Sequence, residues 1–231
     1  MHLRRAKFVL AIGWCLLASS GGGCATSKPA KWYDPFGLFA KEKEGERKVV
    51  TQDEWIKAIR QLAKAAPKLP PEQQEQASRE LAQFLVKERE PITRGHMLRT
   101  LAAFPTKTAE RMLQAGLRDA DQDVRVVCCD AWARRGGPEA VRVLSEVLST
   151  DTDLDVRLAA ARALGELHDP QAIGALGLAL DDDNPAMQLR AIDSLRAISG
   201  KNYKTVQEWR SFAQGEKREP LTLTDRLRRL F

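Results

Sequence analysis

The chain is poor in aromatic residues, in histidine and in cysteine. Aromatics account for 6% of its 231 residues, beside three histidines and four cysteines. Four cysteines in a chain of this length exclude a small disulfide-stapled scaffold, and no H-x-x-H or C-x-x-C pattern points to a metal site. No run of about 18 apolar residues occurs, which excludes a polytopic membrane protein. We therefore expect a globular chain that holds no metal and no other cofactor.

Neither sign of charge dominates strongly. The formal net charge is +6, but Arg4, Arg5 and Lys7 supply three of these charges. Without residues 1–23 the chain has 34 basic and 31 acidic residues. Because the two signs alternate along most of the chain, no large positive field is expected. This balance argues against nucleic acid as a partner.

The N-terminus, residues 1–23, has the pattern of a signal peptide. A basic segment precedes the apolar run FVLAIGWCLLA, and small residues follow up to Cys24. This order is typical of an export signal, and the run is too short to span a bilayer. Gly23-Cys24 resembles the lipobox of bacterial lipoproteins, which implies cleavage before Cys24 and its lipidation. By the same resemblance, Ala25 implies sorting to the outer membrane, where the protein faces the periplasm. Cleavage by an ordinary signal peptidase after Ser20 is the alternative.

Residues 24–52 are interpreted as a lipid-anchored tether. Prolines, a glycine and the charged stretch AKEKEGERK interrupt regular structure there. Two interpretations of its aromatic residues stay open: contact with lipid headgroups, or packing on the first helix of the folded part. These aromatic residues are Trp32, Tyr33, Phe36 and Phe39.

The body of the chain repeats itself every 31 to 32 residues. DVRLAAARAL at residues 155–164 aligns with DVRVVCCDAW at residues 123–132, and similar apolar patterns extend the alignment to four units over residues 91–200. Each unit has apolar residues at three- and four-residue steps, which indicates two amphipathic helices. Side-chain caps or Pro at the first helical position predict where helices begin. For first helices the caps are Asp123 and Asp155; for second helices the starts are Gly137-Pro138, Asp169-Pro170 and Asn184-Pro185.

Helical segments are also predicted on both sides of the repeats. Residues 53–90 form an N-terminal helical cap or a degenerate repeat, and residues 201–231 form a C-terminal cap with an amphipathic tail. The apolar positions expected to face inward at the N-terminal side are Trp55, Ile59, Leu62, Leu81, Leu85 and Val86. At the C-terminal side a capping box at Thr205 to Glu208 precedes Trp209, and the tail has a basic amphipathic pattern with Leu223, Leu227 and Leu230. Three interpretations of this tail stay open: it docks on the array, on a partner or on anionic lipid.

The pattern D-V-R-x-x-A-x-x-A-L-G-x-L-x-D-P-x-A-I-x-x-L, which begins at Asp155, resembles the HEAT repeat. It is most similar to the HEAT-like class first described in bilin lyases. The resemblance implies an all-α, right-handed α-solenoid of HEAT-like helical hairpins. It also implies an inter-repeat ladder, from which Thr93-Arg94 and Met187-Gln188 depart. The residues that match the ladder are Asp123, Arg125, Asp155 and Arg157.

The same resemblance places a binding surface on the second helices, which line the concave side of HEAT arrays. Because such folds host many roles, the resemblance does not fix the function. The candidate concave-surface residues are Arg111, Gln114, Arg118, Arg142, Glu146, Gly174, Gly177 and Leu178.

No residue pattern for catalysis is found. Cys128 and Cys129 align with alanines, so we expect small buried residues there rather than reactive thiols. The chain has no phosphate-binding loop and no nucleophile elbow. The leading hypothesis is a lipid-anchored periplasmic scaffold that binds a protein partner without catalysis. The alternative is a chromophore (bilin) lyase or isomerase-like enzyme, or a subunit of one.

Overall fold

The computed structural model describes residues 51–215, and every regular element in that range is helical. The helices form five successive hairpins, each with a first and a second helix, which confirms the predicted all-α solenoid. The first helices are α1 (Gln52–Ala65), α3 (Pro91–Leu101), α5 (Gln122–Arg135), α7 (Leu154–Glu166) and α9 (Pro185–Ser199). The second helices are α2 (Pro71–Lys87), α4 (Lys107–Gly116), α6 (Pro138–Thr150), α8 (Ile173–Ala179) and α10 (Val206–Ala213).

The first helices stack on one another in chain order, α1 on α3 and so on to α9. Beside this stack, second helices pack on one another where α2 meets α4, α6 meets α8, and α8 meets α10. One hydrophobic core runs continuously from Trp55 in α1 to Trp209 in α10. Each hairpin therefore buries its apolar faces mainly against adjacent hairpins, as solenoid repeats do.

The hairpin of α1 and α2 is built into the array. The Gln52 side chain donates a hydrogen bond to Thr93 Oγ1 at 3.1 Å, and the Thr100 hydroxyl donates to the Ile59 carbonyl at 3.2 Å. Where α2 meets the start of α4, the Thr106 hydroxyl donates to Ser78 Oγ at 2.8 Å. Both helices of this hairpin are thus fixed to the next hairpin by polar contacts as well as by apolar burial.

The expected core positions of α1 are confirmed, but one position in α2 is wrong. Trp55, Ile59 and Leu62 are buried in α1, and Leu81 is buried in α2. Val86, which we expected to face inward, is 78% exposed. The buried side of α2 contains Leu81 and the half-buried Leu85. Val86 is the next residue, and it points about 100° away around the helix.

Two helix starts differ from the sequence prediction by two residues. Asp121, not Asp123, caps α5, and its carboxylate accepts hydrogen bonds from the amides of Asp123 (3.0 Å) and Val124 (3.1 Å). Asp153, not Asp155, is at the N-cap of α7. The cap residue must have extended backbone geometry, and Asp121 and Asp153 have it, whereas the predicted residues lie in the first helical turn. Asn184 is a cap as predicted, but it begins a first helix, α9.

The first helices approach each other closely because small residues lie between them. A β-carbon added at Gly165 in α7 would lie 2.9 Å from Ser194 Cα in α9. A first helix and a second helix also meet closely, since a β-carbon at Gly116 in α4 would lie 2.5 Å from Cys128 Sγ in α5. Cys128 and Cys129 are fully buried free thiols. They therefore act as small core residues between neighbouring helices.

An aromatic cluster packs at the C-terminal hairpin. The predicted capping box of Thr205 and Glu208 begins α10. Trp209 is buried and contacts the ring of Tyr203 edge to face, with centroids 4.9 Å apart, and the ring of Phe212 at 6.0 Å. The core of the last hairpin is thereby closed with aromatic surface.

Some of the sequence predictions concern residues outside this range. They are the signal peptide, the lipidation of Cys24, the tether apart from its last two residues, and the tail that contains Leu223, Leu227 and Leu230. Within residues 51–215, no helix combines the length and the apolar character needed to cross a membrane.

We predict that Gly165→Ala lowers the free energy of unfolding by about 1–3 kcal/mol, because the new methyl group overlaps Ser194. This loss exceeds the gain of up to about 1 kcal/mol from the higher helix propensity of alanine. Gly95→Ala is the matched control, since its nearest neighbour, Val127 Cγ2, lies 3.6 Å away in ordinary contact. Urea unfolding followed by circular dichroism compares the two variants. Equal stabilities would contradict the close packing of α7 on α9.

Candidate functional site

The exposed positions of the second helices form the candidate site, and α4 contributes its first part. Thr106 caps α4 by accepting from the Ala109 amide at 3.1 Å. Ala109, Leu113 and Gly116 are buried, so the opposite side of this amphipathic helix faces solvent. The predicted surface residues on that side are all exposed: Arg111, Gln114 and Arg118.

Helix α6 adds a charged cluster to the same layer. Arg142 pairs with Glu139 at 2.7 Å and with Glu146 at 3.2 Å, and all three side chains are about half exposed. Arg118, in the turn directly after α4, lies 3.9 Å from Glu146, and this contact links neighbouring hairpins. The hydrogen bond from Arg142 holds the pKa of Glu139 below its ordinary value. Such exposed pairs contribute little to stability, so their main effect is to orient the charges.

Helix α8 differs from α4 and α6 because its outer positions are small or apolar. Gly174 is exposed, and a β-carbon added there would have no neighbouring atom within 4 Å. Leu178 is 74% exposed. Gly177 was expected on the open surface, but it is covered by α10, because a β-carbon at Gly177 would lie 2.5 Å from Ala213 Cβ. The structure therefore removes Gly177 from the candidate surface and leaves the other seven residues on it.

A ladder of Arg–Asp contacts links the loops between successive hairpins. Arg94 pairs with Asp119 at 2.6 Å and Arg157 with Asp182 at 3.4 Å. Between them Arg125 pairs with Asp151 at 2.9 Å and also contacts Asp153. The Arg125 and Asp151 side chains are only 11% and 10% exposed, so this central pair is largely shielded from water.

The acidic members of this ladder differ from those we predicted. Asp123 and Asp155 are exposed, and Arg125 pairs instead with acids of the following loop. The physical reason is the helical twist, since a residue two positions before the arginine points about 200° away around the helix. Arg125 and Arg157 are ladder residues as predicted, and Arg94, whose unit lacks the Asp of the family pattern, is one as well.

Each rung uses the same backbone geometry. Arg94 donates to the Arg89 carbonyl, Arg125 to the Asp119 carbonyl and Arg157 to the Asp151 carbonyl, at 2.8 to 3.2 Å. In the last hairpin Gln188 replaces the arginine, and its amide donates to the Asp182 carbonyl at 2.8 Å. Each arginine or glutamine thus holds the loop that precedes its own helix.

The loop acids are positioned by backbone amides. Asp119, Asp151 and Asp182 each accept from the amide two residues further on, at 2.8 to 3.0 Å. Burial raises the pKa of Asp119, but hydrogen bonds from Arg94 and the Asp121 amide outweigh that effect and hold the pKa below its ordinary value. Asp119 is therefore held in its ionised form, and backbone amides orient all three side chains. The sequence contains a signal for these loop acids, because in each unit an acidic residue lies six positions before the arginine or glutamine.

Between residues 51 and 215, the thiols and histidines do not form a reactive cluster. Burial raises the pKa of Cys128 strongly and that of Cys129 to about 12. Burial lowers the pKa of the half-buried His96, and Arg60 and Arg99 lower it further. His168 lies in the turn after α7 with a φ of 52°. Within the described part of the chain, no group of three or more His, Cys, Asp or Glu side chains is placed to hold a metal ion.

A groove of about 610 Å³ opens where the first three hairpins turn from first to second helix. Its walls include Pro67, Pro105, Trp132 and Gly137. Arg135 also lines it and donates to the carbonyls of Phe104 (2.8 Å) and Thr106 (3.2 Å). Sequence analysis does not predict this groove, because only the fold brings the three turns together.

We predict that Arg125→Ala lowers the free energy of unfolding by about 3 kcal/mol, because it leaves the shielded Asp151 carboxylate without its charged partner. Arg142→Ala is the control, since it removes exposed pairs and should leave the urea midpoint unchanged. Chemical unfolding of both variants measures the difference. Similar midpoints for Arg125→Ala and the original chain would contradict a stabilising ladder.

Comparison with solved structures finds matches of low sequence identity. Human deoxyhypusine hydroxylase shares 22% identity, with a TM-score of 0.48 over 54% of this chain and 44% of the hydroxylase, so the chain spans less than half of that protein. An engineered protein shares 20% identity, with a TM-score of 0.42 over 73% of this chain and 82% of its own. The complex of CpcE and CpcF of phycocyanin lyase from Nostoc shares 21% identity, with a TM-score of 0.38 over 76% and 97%.

Comparison with curated protein sequences finds no match. The sequence profile of HEAT repeats matches residues 78–164 and 141–208, which together cover more than half of the chain. These residues include three complete hairpins, α9 with the start of α10, and every rung of the Arg–Asp ladder. The chain belongs to the HEAT-repeat family.

Proposed function

We propose that the protein is a lipid-anchored scaffold of the bacterial cell envelope, which binds a protein partner and catalyses no reaction. The observation that carries the proposal is the set of exposed side chains on successive second helices. We name this set the second-helix face. Its members are Arg111, Gln114, Arg118, Arg142, Glu146, Gly174 and Leu178.

The array supports binding by holding this face in a fixed geometry. The ladder sets the spacing between hairpins, and the shared core limits their relative movement. The contacts of Glu146 with Arg142 and Arg118 orient two guanidinium groups towards one side. Preorganised side chains lose less conformational freedom on binding, and arginine is frequent among residues that dominate interface energies. Several modest contacts along the array then add up to one specific interaction.

The anchoring part of the proposal rests on the N-terminal sequence. The basic segment, the apolar run and Gly23-Cys24 resemble a lipoprotein signal. A lipid on Cys24 would attach the repeats to the membrane through residues 25–50, and Ala25 favours the outer membrane by resemblance. The repeats would then face the periplasm, where the second-helix face meets its partner.

A chromophore lyase, or a subunit of one, stays the alternative hypothesis. It rests on the sequence resemblance to the HEAT-like class first described in bilin lyases. Incubation with a bilin and an acceptor protein tests it directly. A covalent coloured adduct that depends on this chain would replace the scaffold proposal.

For the anchor, we predict that the protein from the membrane fraction begins at Cys24 and carries acyl mass. Intact-mass measurement of the original chain and of Cys24→Ser tests this prediction. The variant should lack the acyl mass and leave the membrane fraction. An unprocessed chain in the cytosol would contradict the proposed localisation.

For the partner surface, we predict that a photocrosslinking residue at position 118 captures a discrete protein in envelope preparations. The control is position 99, where Arg99 is also exposed but belongs to the first helix α3. Arg142→Glu should weaken the crosslink at position 118 about tenfold, because it reverses one charge of the face. Identical crosslinks at both positions, or no effect of the charge reversal, would contradict the second-helix face as the binding surface.

A further inference from the structure

The apolar outer side of α8 has one part that is covered and one part that is open. Glycine lowers the stability of a helix relative to alanine, yet this seven-residue helix contains two. Gly177 is explained by its close contact with Ala213. Gly174 has open space around it, and Leu178 beside it is 74% exposed. Residues three and four positions apart share one side of a helix, so Gly174, Gly177 and Leu178 form a single stripe, the α8 stripe.

The C-terminal end of the described chain lies against this stripe. Ala213 covers Gly177, and the Arg210 guanidinium donates to the Leu180 carbonyl at 2.9 Å and pairs with Asp181 at 2.7 Å. Helix α10 is therefore fixed at the end of α8. From Arg210 to Ala213, α10 thus runs from the C-terminal end of α8 towards Gly177, and the described chain ends at Gly215, two residues after Ala213.

The sequence of the last residues is complementary to the stripe. Residues 221–231 read LTLTDRLRRLF, and Leu223, Leu227 and Leu230 follow the three- and four-residue spacing of an amphipathic helix. As a helix this segment is about 16 Å long, longer than the roughly 10 Å of α8. Its arginines are also opposite in charge to Asp183, which is exposed after α8 and has no ion-pair partner within residues 51–215.

We propose that residues 221–231 fold back as an amphipathic helix onto the α8 stripe. Their leucines cover Leu178 and approach Gly174 as closely as Ala213 approaches Gly177. The tail thereby occupies the α8 part of the second-helix face and leaves the α4 and α6 parts open. The docking itself does not depend on the proposed scaffold function.

Thiol labelling of the full chain in the absence of membranes tests this docking. Leu178→Cys reports on the stripe, and Leu189→Cys is the control, because Leu189 is 61% exposed on the neighbouring helix α9. Both positions lie in the tryptic peptide between Arg162 and Arg190, so one fragment measures both maleimide reactions. Each variant is compared with and without the tail substitutions Leu227→Glu and Leu230→Glu.

We expect Cys at position 178 to react about tenfold more slowly than Cys at position 189, and the tail substitutions to abolish this difference. The rate at position 189 should not change. Equal rates in the unsubstituted tail would overturn the proposal. Protection that survives the tail substitutions would also overturn it; dependence on protein concentration would then assign the stripe to a second copy. Protection that appears only with anionic vesicles would assign the tail to lipid and overturn the intramolecular docking.

Thermal unfolding of Gly174→Ala provides a second measurement that needs no labelling. If the tail is docked, the added methyl group overlaps the tail. This overlap offsets the stabilisation from the higher helix propensity of alanine, so the unfolding midpoint should not rise. With Leu227→Glu and Leu230→Glu present, the same substitution should raise the midpoint, because the space beside Gly174 is then open. An equal rise in both backgrounds would overturn a close contact between the tail and Gly174.

Discussion

The contact between each ladder arginine and the loops on both sides of its hairpin sets the geometry of the array. One guanidinium binds the carbonyl of the loop before its own helix and the carboxylate of the next loop, as Arg125 does with the Asp119 carbonyl and Asp151. A planar group with several donors can hold two loops at once, which lysine cannot do with the same precision. Because the contact recurs at nearly constant sequence intervals, the hairpins stack at regular spacing, and the exposed face of the second helices follows from that spacing.

The two layers of the array have different packing. Glycine, alanine and cysteine between the first helices let their backbones approach closely, as Gly165 and Ser194 show. Larger residues are poorly tolerated in that layer, because a close-packed interior has no room for additional atoms. Among the second helices, α4 and α6 carry larger charged residues on their outer side and meet fewer constraints there. Amino-acid substitutions are therefore tolerated best on the outer side of the second layer.

The sequence predicts the hairpins well because each one repeats the same apolar spacing. It does not predict the ladder acids, since alignment on D-V-R emphasises Asp123 and Asp155, which the helical twist turns outward. The acids that bind arginine lie in turns, and their side chains are oriented by backbone amides that a residue pattern does not display. Gly177 is a similar case: its spacing indicates an outer position, but only the fold shows that Ala213 covers it.

The glutamine in the last hairpin has a consequence for growth of the array. Gln188 keeps the bond to the Asp182 carbonyl but brings no positive charge, so the ladder ends on a neutral side chain. A repeat protein that presents an unused rung and an uncovered apolar layer at its end is a template for head-to-tail fibres. Here the rung is neutral, and Trp209 with its aromatic neighbours fills the adjacent core. The terminal hairpin thus offers no charged rung to a further repeat, and its aromatic cluster fills the core against which such a repeat would pack.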